Sequence, residues 1–439
     1  MYVCGDGEKS VSVRPFTVAA SSRFLNYFVQ RSNDYRSRCV AQKRKQPKGS
    51  NNVRTLSDTI GRLAAFRAAP GVTTTNSDRD RLRELLDFGS NPGGLLGKTF
   101  IPEDLPLDAP LVVVLHGCTQ TAAGYDRGSG WSRLADRYKV ALLFPEQQRS
   151  NNANLCFNWF VPHDIRRDAG EALSIRRMIE TLVLRHGIDR RRIFVTGLSA
   201  GGAMASAMLA TYPDVFAGGA IIAGLPYGCA SSIPEAFDRM RGHGFPKREK
   251  LQSLVRDAST YAGRWPTISI WQGTADHTVV PSNMTAINEQ WRGVHQVEEV
   301  PTRSDVVDGF PHREWCDAEG RMLIEEYSIT GMGHGTPIAT SGPQAYGVPA
   351  PFMLDVGISS TFHIARSWGL TMPAENLAQT ILPDTSNFPP THVDPVREAA
   401  ANSGTSKGHS DAPATSNVQT ATGVRKVIED ALRAAGLMR

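Results

Sequence analysis

The strongest constraint in this 439-residue chain is a five-residue junction, Gly197-Leu198-Ser199-Ala200-Gly201. A short apolar run at 192–196 leads directly into it, and a run of small residues at 200–211 leads directly out. A buried strand that turns into a helix within so few residues needs glycine on both sides, because neighbouring backbones pass close by and the turn strains the central residue. That residue is Ser199, whose hydroxyl then stands clear at a helix N-terminus. G-x-S-x-G is a weak pattern by itself; the strand before it and the helix after it make it a nucleophile elbow. The plain alternative is a serine that caps a helix behind a glycine turn. What decides between them is whether the rest of the chain supplies the partners a nucleophile needs.

A serine hydroxyl is a poor nucleophile at neutral pH and needs a histidine base, itself oriented by an acid. In α/β hydrolases these follow in the order Ser, acid, His. The run at 267–271 opens into Gly273-Thr274-Ala275-Asp276-His277, which presents a carboxylate just past a strand end. The run at 321–329 opens into Gly331-Met332-Gly333-His334-Gly335, a glycine-flanked histidine just past the last strand. Asp276 and His334 are therefore the candidate acid and base. Asp305, Asp308 and Asp317 compete with Asp276 but lie outside a loop of this kind. His277 is expected to point away from its neighbour, and His116, His163, His186 and His312 read as structural or surface residues, with His116 and His163 placed to border a site.

A tetrahedral intermediate also needs two backbone donors, one from the residue after the nucleophile and one from the loop after an early strand. Ala200 is the first candidate. The apolar run at 111–115 opens into His116-Gly117-Cys118-Thr119-Gln120, making the Cys118 N–H the second and Thr119 the fallback. Ser199 already occupies the elbow, so the Cys118 thiol reads as buried or disulfide-bonded, with Cys156 one candidate partner. Six cysteines occur without CxxC or Cys/His spacing suited to zinc. Cys4 and Cys39 lie near the start, leaving Cys118, Cys156, Cys229 and Cys316, enough for two disulfides that spacing alone does not pair.

Strand-like runs at 111–115, 140–144, 192–196, 217–223, 267–271 and 321–329 alternate with helical stretches at 169–186, 200–211 and 283–294. Short apolar strands separated by amphipathic helices predict an α/β domain with a mostly parallel sheet covered on both faces. The expected division is a basic, disordered extension at 1–54, a catalytic domain at 55–372 beginning with a helix at 55–67, a Thr/Ser/Pro-rich linker at 373–422 and a short amphipathic helix at 423–439. The net charge of +5 gathers in the first of these segments and no nucleic-acid motif accompanies it, so no nucleic-acid partner is expected. The longest apolar runs fall well short of the ~18 residues of a membrane helix. No clear secretory signal is legible at 1–30, which leaves a cytoplasmic location as an alternative to secretion.

The chain resembles the PHB depolymerase family esterases, α/β hydrolases acting on poly(3-hydroxybutyrate) and related short-chain hydroxyalkanoate esters. The resemblance rests on LVVVLHGCTQTAAGYD (111–126), LCFNWF (155–160), VTGLSAGGAM (195–204), AGLPYGCA (223–230), QGTADHTVVP (272–281) and GMGHGTP (331–337). It implies a catalytic triad of Ser199, Asp276 and His334, an oxyanion loop at Cys118 ahead of the nucleophile, and an extracellular enzyme whose partner is a polyester or small ester; an acyl-enzyme mechanism of this kind requires no metal or organic cofactor. Related carbohydrate esterases share fold and triad, so a feruloyl or acetylxylan esterase is the alternative, and a non-catalytic polymer- or granule-binding protein is the alternative of another class. Tyr125, Trp131, Phe157, Trp159, Tyr227 and Trp271 lie near the motifs; each reads first as core and second as the wall of an acyl pocket.

Overall fold

The computed structural model describes residues 80–371. The extension at 1–54, the helix at 55–67, the linker at 373–422 and the helix at 423–439 lie outside the described residues. Five strands run parallel to one another at the centre of one large sheet: β3 (Leu111–Leu115), β5 (Ile193–Leu198), β6 (Gly218–Ile222), β7 (Thr267–Gly273) and β10 (Met322–Ile329). β4 (Ala141–Glu146) joins them on the other side of β3. β1 (Arg83–Glu84) and β2 (Leu96–Phe100) extend one edge antiparallel, and β8 (Arg303–Val307) and β9 (Phe310–Cys316) extend the other. The full order is β1-β2-β4-β3-β5-β6-β7-β10-β9-β8. A small parallel pair, β11 (Thr336–Ile338) and β12 (Met353–Asp355), stands apart from it.

Burial explains why the central strands read as unbroken apolar runs. Leu111, Val113 and Leu115 of β3 join one core and Val112 and Val114 the other, as the two-residue repeat of a strand requires when both faces are covered. The first core packs beneath α3 (Gly170–His186), α4 (Ala200–Thr211), α5 (Ile233–Met240), α6 (Arg248–Arg256) and α7 (Ser282–His295). The second packs beneath α1 (Ala122–Ser129), α2 (Trp131–Tyr138) and α8 (Ser360–Ser367), where Trp368 stacks on Phe194 and Trp271 on Tyr327 at ring separations of 4.7 and 3.8 Å. α4 is buried on every side, which is why its sequence shows no polar stripe.

The six strands and three helices expected from sequence all form, with ends shifted by at most two residues. The antiparallel edges, α1, α2, α5, α6 and α8 are additions. The β8–β9 hairpin had a legible signal: Asp308 and Gly309 both have positive φ in the two-residue turn, the Asp-Gly signature of such a connection.

α4 starts against the ends of β3 and β5. A methyl group at Gly201 would overlap the carbonyl oxygens of Leu115 and His116, whereas one at Gly333 would meet nothing. Gly201→Ala is therefore expected to lower stability by about 2 kcal/mol or more, and Gly333→Ala by far less. Denaturant melts of the two variants check the contrast.

Candidate active site

Ser199 is the residue between β5 and α4, with φ 57° and ψ −117°. That left-handed backbone is costly for a residue with a Cβ and is held by packing on both sides. The Ser199 N–H donates to the carbonyl of Ile222 on β6 at 2.9 Å, and a side chain at Gly197 would overlap the backbone of Gly201. The residue is 8% exposed and lines a cavity of about 520 Å³. Ala200, as the first residue of α4, has an N–H without an intrahelical acceptor, and it points with the positive end of the helix dipole toward this region.

The loops after β7 and β10 are stitched together. Thr274 N–H donates to Ile329 O, Ala275 N–H to Met332 O, and Gly331 N–H to Thr274 Oγ1. This brings Asp276 beside His334, with Asp276 Oδ2 2.8 Å from His334 Nδ1. Asp276 is 1% exposed, and its carboxylate is saturated: Oδ1 accepts from the N–H groups of Thr278 and Val279, and Oδ2 also accepts from Gln272 Nε2. Nδ1 of His334 faces the acid, so Nε2 is the nitrogen left for other chemistry. His334 lines the same cavity as Ser199.

The competing residues are accounted for elsewhere. Asp305 pairs with His312, Asp308 with His363 and Asp317 with Arg321, all away from the cavity lining, and His277 is exposed.

In the loop after β3, three of the four N–H groups at 117–120 are engaged. Gly117 N–H donates to Gln120 Oε1, Gln120 N–H donates to Gly117 O, and Thr119 N–H donates to Asn154 O at 2.7 Å. Thr119 is thus engaged and not a spare donor, while the Cys118 N–H has no acceptor among the described residues. His116 is buried beneath the loop, and burial lowers its pKa. Its Nδ1 lies 2.8 Å from Gly117 O and its Nε2 accepts from the Gln147 N–H, a pairing that fits the neutral ring. Cys118 is bonded to Cys156, which fastens the loop to the opposite cavity wall. Cys229 and Cys316 are buried and unpaired, so the described residues hold one disulfide where two were possible; β7 and β10 lie between β6, after which Cys229 follows, and β9, which ends at Cys316. Burial pushes the Cys229 thiol up to about 12.

One residue that sequence reasoning missed organises this wall. Glu171, in the first turn of α3, is fully buried, and its carboxylate accepts from Gln147 Nε2 at 2.6 Å, Asn158 N at 2.9 Å, Asn158 Nδ2 at 2.8 Å and Asn151 Nδ2 at 3.2 Å. Burial pushes its carboxyl up to about 8, against the pull of those donors toward the ionised form. The segment it grips, 147–158, carries Asn154 and Cys156, the two holds on the Cys118 loop. A buried acid in an otherwise amphipathic helix, followed across space by Asn151, Asn152, Asn154 and Asn158, has no sequence-local signature. Trp159 is the one of the six aromatic candidates that lines the cavity. Phe160, Phe237, Met240 and Phe352 join it, and Tyr125, Trp131, Phe157, Tyr227 and Trp271 belong to or pack on the cores. α5, which brings Phe237 and Met240, had a legible start in Ser232-Ile233-Pro234-Glu235, a cap residue followed by proline and an acid in the first turn.

A strand–elbow–helix serine on a mostly parallel sheet, with an acid and a histidine from later loops, defines an α/β hydrolase. Residues 99–298 match the esterase PHB depolymerase family. Poly(3-hydroxyalkanoate) depolymerase C of Paucimonas lemoignei is 44% identical over 328 residues, 74% of this chain and 78% of that protein. Feruloyl esterase B of Neurospora crassa is 30% identical over 62% of this chain and 92% of its own length. Among solved structures, an acetyl xylan esterase from Aspergillus awamori superposes with a TM-score of 0.56 at 24% identity, covering 66% of this chain and 99% of that one, a likeness of fold. The chain belongs to the esterase PHB depolymerase family and is a carboxylic ester hydrolase. Among the described residues no helix is long and apolar enough to cross a membrane.

Every partner of the Glu171 carboxyl is an N–H donor, so above about pH 8, where the carboxyl is ionised, an amide there sets a donor against donors. Glu171→Gln is expected to cost about 1–3 kcal/mol and to lower kcat about tenfold or more through the Cys118 loop. Parallel melting curves and steady-state kinetics check both parts.

Proposed function

We propose that this chain is a serine esterase that hydrolyses hydroxyalkanoate esters of the poly(3-hydroxybutyrate) type, or their oligomers, through an acyl-enzyme. The observation that carries the reading is that Ser199, His334 and Cys118 line one cavity while Asp276 holds His334 Nδ1 at 2.8 Å. Ser199 Oγ attacks the ester carbonyl as His334 Nε2 takes its proton, and the N–H groups of Cys118 and Ala200 receive the oxyanion. His334 then gives the proton to the leaving alcohol. A water, activated by the same nitrogen, releases the hydroxy acid. Asp276 keeps the imidazole oriented and stabilises its charged form. Each step is carried by a side chain or backbone group of this chain.

The depolymerase relative at 44% identity supports the substrate class, and so does the cavity wall, where Trp159, Phe160, Phe237, Met240 and Phe352 suit a short apolar acyl unit. The catalytic domain spans 55–372 in this reading. The disulfide between Cys118 and Cys156 supports work in an oxidising, extracellular setting. A second reading, an esterase for feruloyl or acetyl groups on plant polysaccharide, is favoured by relatives such as the Neurospora crassa enzyme at 30% identity.

Turnover of 3-hydroxybutyrate oligomers is expected to exceed that of methyl ferulate and acetylated xylan in kcat/KM, and a preference for the ferulate or the xylan would transfer the assignment to the second reading. Ser199→Ala is expected to lower kcat at least about 10⁴-fold, and Asp276→Asn by about 10³–10⁴, with folding retained. Undiminished turnover by Ser199→Ala would defeat the mechanism.

A further inference from the structure

Away from the cavity, the antiparallel corner of the sheet gathers ligating side chains on one face. Register places Asp305 opposite His312 and Glu314 opposite Glu325, and His312 and Glu314, two apart on β9, share that face. His312 and Glu325 are 4% and 3% exposed, and Glu314 sits half-buried at the rim. One ligating atom from each of His312, Glu314 and Glu325 lies within 4.8 Å of the others.

His312 Nδ1 is 2.8 Å from Asp305 Oδ1, so the Nδ1–H donates to this carboxylate and Nε2 is turned toward the remaining acids, as in a metal-bound histidine held by an outer carboxylate. Nε2 then faces Glu325 Oε2 at 3.3 Å and Glu314 Oε1 at 4.0 Å. A lone pair aimed at two carboxylates is repelled unless a cation lies between them. If that cation were a proton, the charge-assisted bond to Glu325 would be expected at about 2.7–2.9 Å, shorter than the separation present. Two ligands each about 2.0–2.1 Å from a tetrahedral zinc stand about 3.3 Å apart, which is the separation present.

A second observation is independent of that spacing. The other oxygen of the same buried carboxylate, Glu325 Oε1, has no hydrogen-bond partner among the described residues. A buried acceptor left unmatched is unfavourable, and a bound cation satisfies it. Glu314 is steadied through its other oxygen, Oε2, by Arg303 Nη1 at 3.2 Å, and a small rotation of this part-exposed side chain brings Oε1 to the same spacing.

We propose that His312, Glu314 and Glu325 bind a divalent transition cation of the zinc class, with Asp305 orienting the imidazole. One imidazole with two carboxylates suits such an ion, whereas calcium takes six to eight oxygens, more than these side chains supply. Water completes the coordination at the open rim. The ion cross-links β9 to β10, the strand that runs on into the His334 loop, and its role is structural. Cys/His spacing in sequence offers no view of such a site, because strand pairing alone brings Glu325 to β9.

The test uses the full chain stripped of metal with a chelator. Titration with Zn²⁺ is expected to show one equivalent bound with micromolar or tighter affinity, undisturbed by millimolar Ca²⁺ or Mg²⁺. At one hundred times the dissociation constant, Zn²⁺ is expected to raise the melting temperature by about 5 °C. His312→Ala and Glu314→Gln are each expected to weaken that equivalent at least tenfold and to lose the thermal shift, while Ser199→Ala keeps both. Glu314, being part-exposed, gives a folded variant even where the buried positions do not. Absence of zinc binding by the wild-type chain, the outcome if a proton fills the space, would overturn the proposal, as would binding unchanged in both variants.

Discussion

At Gly201 the first turn of α4 runs against the carbonyl oxygens of Leu115 and His116, and at Gly197 the end of β5 runs against the backbone of Gly201. No side chain fits between them. This close passage forces the intervening Ser199 into a left-handed backbone and sets its hydroxyl at the cavity, with the helix start behind it. It also brings the N–H of Ala200 into the neighbourhood of the loop that follows β3. The buried sheet behind the elbow, apolar on both faces, supplies the rigidity that makes the strain bearable.

Around that fixed point the polar groups are held by saturation. Asp276 accepts four hydrogen bonds, so its one link to His334 has a defined direction. Glu171 likewise accepts four, all from the segment that anchors the Cys118 loop. A disulfide, a buried neutral His116 and the Asn154 carbonyl complete the hold, leaving the Cys118 N–H as the one at 117–120 without an acceptor among the described residues. A preorganised donor costs no reorganisation when charge develops on the substrate oxygen, and this is where such sites gain most of their rate.

Much of this was legible in the chain. The elbow, the glycine-flanked His334, the Asp276 loop and the Cys118 loop all sit at strand ends, where short apolar runs mark them, and the six parallel-type strands declared themselves because both of their faces are buried. What escaped had other physics. Among the described residues three His–Asp pairs are present, at 334–276, 312–305 and 363–308, and only spatial placement beside Ser199 distinguishes the first. Glu171 acts through partners 13 to 24 residues away, beyond any local pattern. The edge strands β1, β2, β8 and β9 are short or half-exposed, so burial wrote a weaker signature on them. Five of the six aromatics singled out are core, as first read, while Phe160, Phe237 and Phe352 of the cavity wall escaped because core and wall use the same residue types.

The central claim is that the strained Ser199 is the nucleophile and that His334 activates it. Peptide mapping after treatment with a fluorophosphonate tests this most directly. The account predicts a single covalent adduct on Ser199 in the wild-type chain, and labelling slowed at least about a hundredfold in His334→Ala. An unlabelled Ser199, or labelling equally fast without His334, would contradict it.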